Sequence, residues 1–67
     1  MSYAVKITAT LRGVSLSEYA GARGEKSFDI NKIDGWKRKI SAENFIDEHK
    51  RMFGFGDSDI EYEIISL

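Results

Sequence analysis

Tyr3-Ala4-Val5-Lys6-Ile7-Thr8-Ala9-Thr10-Leu11 decides the fold class of this chain. Tyr3, Val5, Ile7, Ala9 and Leu11 alternate with Ala4, Lys6, Thr8 and Thr10. A period of two sets one apolar face on a core and leaves one polar face in water, and Val, Ile, Thr and Tyr suit a pleated, half-buried surface. The stretch therefore predicts a strand at the centre of an α+β domain.

Outward from this strand, Gly13 supplies a stop. Ser15-Leu16-Ser17-Glu18 then has the form of a capping box, in which the first serine accepts from a backbone N–H and the glutamate reaches back. Gly21 follows too soon for more than one helical turn, so this stretch is expected as a structured loop. Glu25 to Ile30 alternates again, with Phe28 and Ile30 opposite Ser27 and Asp29, and predicts a second strand antiparallel to the first. Asp34-Gly35 is a hairpin signal, followed by a short strand from Trp36 to Ile40. A single helix through residues 31–53 is disfavoured. Ile33, Trp36 and Ile40 would lie nearly opposite Ala42, Phe45, Ile46, His49 and Phe53.

Ser41 is a good N-cap, and Ala42, Phe45, Ile46, His49 and Phe53 follow helical spacing, with Lys50 and Arg51 in the last turn. Gly54 fits a left-handed stop, with Phe55 folding back on the last turn. Gly56-Asp57-Ser58 reads as a turn, and Ile60, Tyr62 and Ile64 alternate with Glu61 and Glu63 in a last strand. The expected architecture is one α+β domain over residues 1–67, an antiparallel or mixed sheet of three to four strands with one helix packed on one face. Its element order is β-β-β-α-β. A helical return would place the last strand parallel to the first, in the order 4-1-2-3.

Composition excludes several functions. The 67 residues hold no cysteine and no proline, which removes a disulfide framework, a cysteine zinc site and a cysteine nucleophile. Ten basic against eleven acidic side chains give a net charge of −1, not the positive excess of a dedicated nucleic-acid binder. No apolar run approaches the roughly 20 residues needed to span a bilayer, and the N-terminal stretch has no secretory h-region. A soluble, cytoplasmic protein is expected, with no membrane partner.

Four groups of residues invite a chemical reading. Lys37, Arg38 and Lys39, with Lys32, Lys50 and Arg51 and with Trp36 alongside, form a basic and aromatic patch. It suits either a nucleic-acid backbone or the protection of a lysine-studded edge strand. Asp57, Asp59, Glu61 and Glu63 lack the further ligands of a calcium loop and read as a solvated strand face. Gly21-Ala22-Arg23-Gly24 matches the GxxG loop that clamps RNA backbone in KH domains, but that loop joins two helices and a strand follows here. His49 has no nucleophile placed near it by any motif, and Gly54-Phe55-Gly56 lacks the lysine and serine of a phosphate loop. No enzyme signature, cofactor site or metal site follows.

The expected function is that of a small, non-catalytic binding protein acting through protein–protein contact, with contacts at Tyr19, Arg23, Trp36, Lys37, Arg38, Lys39 and Phe55. Size and composition suit a phage or mobile-element inhibitor of a host complex, of the anti-restriction or anti-CRISPR type. Edges of opposite charge also suit a homodimer. The alternative is a nucleic-acid-binding module using the patch from Trp36 to Lys39.

Overall fold

The computed structural model describes residues 1–53 and 59–67. Strand β1 (Tyr3–Leu11) lies inside a sheet with β2 (Val14–Ala20), β3 (Lys26–Ser27) and β4 (Asp59–Ser66), and helix α1 spans Lys39–Phe53. The sheet order is β3-β2-β1-β4, antiparallel at every pairing. The α+β class and the β-β-β-α-β order are as expected, but several elements differ from their sequence reading.

The largest difference is β2. Arg12 and Gly13 both take positive φ, 53° and 80°. Two such residues make a type I′ turn, whose twist matches that of the strands it joins, so Leu11 pairs directly with Val14. The expected capping box thereby becomes a strand. Its serine hydroxyls do not cap a helix but reach across to β1, Ser15 to Thr10 at 2.7 Å and Ser17 to Thr8 at 2.8 Å.

The strand expected over Glu25 to Ile30 shrinks to Lys26–Ser27 and pairs with β2, because β2 occupies the place beside β1. Local hydrogen bonds end it. Ser27 Oγ accepts from the Asp29 N–H at 3.0 Å, and the Asp29 carboxylate accepts from the Asn31 N–H at 3.0 Å, capping a 3-10 turn at Ile30–Lys32. Phe28, which shares one side of that expected strand with Ile30, is 67% exposed.

The strand expected from Trp36 to Ile40 reduces to one bridge, Trp36 against Tyr3. Gly35 serves close approach here and not a hairpin turn, since a Cβ on it would lie 2.7 Å from the Tyr3 carbonyl oxygen. The helix begins at Lys39, so Ser41 lies inside the first turn, its N–H donating to the Arg38 carbonyl at 3.1 Å. Ile40 faces solvent, which removes the conflict between faces. Because the chain returns to the Tyr3 end before the helix starts, α1, about 22 Å long, carries it back along β1. Strand β4 then descends antiparallel to β1, and not parallel as expected. The expected stop at Gly54, the fold-back of Phe55 and the turn at Gly56-Asp57-Ser58 lie outside the described residues.

The pleat direction follows from Tyr3, which exchanges both backbone bonds with Trp36 (2.7 and 2.8 Å). Alternation in an antiparallel sheet then turns the odd residues of β1 toward β2 and the even residues toward β4. The core lies between the sheet and α1. Val5, Ile7, Ala20 and Ala42 are its buried centre, with Tyr3, Trp36, Phe45, Ile46, Ile60, Tyr62 and Ile64 packed around them. Among the described residues no helix is long and apolar enough to cross a membrane.

Candidate interaction surface

At the Tyr3 end, the chain from Gly21 to Lys37 folds into a tight corner. The Glu25 carboxylate spans it, one oxygen accepting from the Arg23 N–H at 2.9 Å and the other from the Asp34 N–H at 3.1 Å. Desolvation pushes this carboxyl upward. The backbone N–H donors, with the Arg23 guanidinium, more than reverse that and hold its pKa below 4.5. A Cβ on Gly21 would lie 2.6 Å from the Asp34 carbonyl oxygen, so only glycine fits. Gly21-Ala22-Arg23-Gly24 thus joins two strands and supports the corner, where Arg23 pairs with Asp34 at 2.6 Å in full view of solvent.

Under the corner runs a row of rings. Trp36 lies 5.0 Å from Phe45, Phe45 lies 5.7 Å from His49, and His49 lies 5.3 Å from Tyr62, measured between centroids. His49 Nδ1 and the Tyr62 hydroxyl are 2.6 Å apart. A neutral imidazole with its proton on Nε2 accepts this O–H, and one with its proton on Nδ1 donates to the hydroxyl oxygen. Burial and the Lys26 ammonium lower the His49 pKa against an opposing pull from Glu18, and burial raises that of Tyr62. Lys50 Nζ sits 5.6 Å from the Tyr62 ring centroid. These groups join α1 to β4, and their geometry is that of packing.

The residues expected to form one basic patch are separated. Lys37, Arg38 and Lys39 are exposed at the start of α1. Lys50 and Arg51 stand in its last turn, about 16 Å along the axis from Lys39. Trp36 is half-buried against Phe45 and the core, so its ring is committed to the fold. Tyr19 lies on the sheet face away from α1, opposite Lys6 and Ser27. Arg23 and Lys37 border one depression with Ala22, Asp34 and Gly35, while Phe55 lies outside the described residues. Among the described residues no three His, Cys, Asp or Glu side chains gather where they could hold a metal ion.

The opposite end carries a surface that the sequence reading missed. Leu11, Val14 and Leu16 fall on the sheet face that packs against α1, yet they are 51%, 72% and 64% exposed. Arg12 stands between them at the apex, in a left-handed conformation that arginine seldom adopts. Arg12-Gly13 between two alternating apolar runs was the signal, a weaker form of the Asn-Gly hairpin turn.

The chain matches no known protein family, no curated protein sequence and no solved structure.

Proposed function

We propose that this chain is a non-catalytic binding protein that acts through protein–protein contact, and that the tip of the β1–β2 hairpin is its principal contact. The observation that carries this reading is the exposed set of Leu11, Val14 and Leu16 around Arg12. Exposed apolar side chains in one patch favour association. Arginine is enriched where binding energy concentrates, and backbone strain gathers at functional positions. A partner that fits this tip has an apolar groove with a carboxylate at its rim to receive Arg12. A small domain seated in such a groove would inhibit a larger complex by occupying it, which is the form of action its size suits.

Capture from the native host's lysate tests the reading, using wild-type protein, the tip variant Leu16→Asp and the double variant Lys37→Glu/Lys39→Glu. The expected result is a stoichiometric protein that withstands nuclease, is retained by the lysine variant and is lost with Leu16→Asp. Equal retention by Leu16→Asp would overturn the hairpin as the contact. Recovery of nucleic acid alone, lost with the lysine variant, would replace the reading with nucleic-acid binding at the start of α1.

A further inference from the structure

The sheet ends at β4, and no strand among the described residues pairs with its outer side. The register says which groups that side presents. Ala4, Lys6, Thr8 and Thr10 turn their backbone groups toward Ile65, Glu63, Glu61 and Asp59. By alternation, Ile60, Tyr62, Ile64 and Ser66 direct both N–H and C=O outward. The side chains divide in the same rhythm. Ile60, Tyr62 and Ile64 lie on the helix side, half-buried, while Asp59, Glu61 and Glu63 stand exposed on the opposite face, about 7 Å apart. No ion pair among the described residues engages these three carboxylates.

We propose that β4 accepts an extended basic segment of another protein as a fifth strand, one in which lysine or arginine alternates with apolar residues. Main-chain bonds to Ile60, Tyr62 and Ile64 would supply the pairing, as in other cases where a peptide adds to a sheet edge. The basic side chains would meet Asp59, Glu61 and Glu63, and the apolar ones would extend the surface of Ile60, Tyr62 and Ile64. Charge selects this occupant. A second copy of β4 that paired along all of Ile60, Tyr62 and Ile64 with its apolar residues on the helix side would set carboxylate against carboxylate, and like charges directly opposite are destabilising. The acidic row thus guards the edge against its own kind and leaves it open to a strand of opposite charge. This surface is separate from the hairpin tip and does not rest on it.

The test uses a synthetic seven-residue peptide of alternating lysine and valine, titrated into the isotope-labelled full chain and followed by amide NMR. Saturable shifts concentrated at Ile60, Tyr62 and Ile64, with slowed hydrogen exchange there, are expected. A peptide with the lysines in one block, and one N-methylated at alternate residues, should each bind at least roughly tenfold more weakly, as should Glu61→Lys/Glu63→Lys. The milder Glu61→Gln/Glu63→Gln variant, with circular dichroism on both, guards against loss of fold. Equal binding of the block or N-methylated peptide would reduce the effect to charge attraction and overturn the proposal, as would unaltered affinity in the glutamate variants. Leu16→Asp should leave this binding unchanged, so the two surfaces stand or fall separately.

Discussion

The two ends of β1 are built by opposite means. At Tyr3 the chain passes so close to itself that Gly35 and Gly21 have no room for a methyl group, and a single carboxylate, that of Glu25, holds two backbone turns together. At Leu11 the chain turns back in two residues and projects apolar side chains into water. One end is constrained by contact and tolerates little change. The other is held by one local turn and leaves its side chains free for something else.

Gly35→Ala should show the contrast most sharply. Its Cβ would meet Tyr3 backbone atoms at 2.7 and 2.9 Å, so the Trp36 bridge must open. A loss of about 3 kcal/mol is expected from overpacking against backbone, read as a fall in the urea midpoint. Glu25→Gln keeps the shape, but its amide nitrogen cannot accept, so one of the two hydrogen bonds is lost and the other loses its charge, at about 1 kcal/mol or more. Because its folded pKa is depressed, the stability from Glu25 is present above pH 4.5 and is lost as pH falls through the lower folded value. Urea midpoints of wild type and Glu25→Gln should converge on acidification.

His49 ties the ring row to the same logic at higher pH. Its folded pKa lies below the ordinary 6.5, so its contribution is complete above 6.5 and disappears as pH falls through the folded value. The urea midpoint should fall from pH 7.5 to 5.5 in wild type and fall less in His49→Gln. At the open end, Arg12→Asn should raise stability by about 0.5 kcal/mol, since asparagine adopts the left-handed region more readily, while weakening partner capture. Leu16→Ser should move stability by less than about 0.5 kcal/mol. A large loss of stability in Leu16→Ser would mean that the tip serves the fold and not a partner.

Legibility in sequence followed the range of the interactions. The alternation of β1 and the helical spacing of Ala42, Phe45, Ile46 and His49 report burial directly. Strand β1 is where it was expected, and α1 covers the expected residues but starts at Lys39, ahead of the expected Ser41 cap. Two local signals competed at Ser15 to Glu18. The capping-box pattern and the alternation of Val14 and Leu16 with serines cannot be ranked without knowing that Arg12 accepts positive φ. Beyond Ser27, the local hydrogen bonds of Ser27 and Asp29 overrode the alternation through Ile30. The direction of β4 depended on the Trp36–Tyr3 bridge, a contact between distant residues that no periodicity contains. Residue type alone marks the expected contact residues in the sequence. Arginine and aromatic character could not reveal that Trp36 packs on Phe45 or that Arg23 pairs with Asp34.

The central place of β1 also sets an order in time. Its partner on one side, β2, is two residues away, whereas on the other side Tyr3 must find Ser66. A hairpin closes in about 1–10 μs, but the long loop to β4 costs entropy before its contacts reward it. The hairpin should therefore stand in the folding transition state, with β4 completing the sheet afterwards. Kinetics of Ile7→Val and Ile64→Val would show this, the first slowing folding and the second mainly speeding unfolding. Until β4 arrives, one side of β1 waits unpaired, and the rate of that last closure limits how long the nascent sheet is open to other chains.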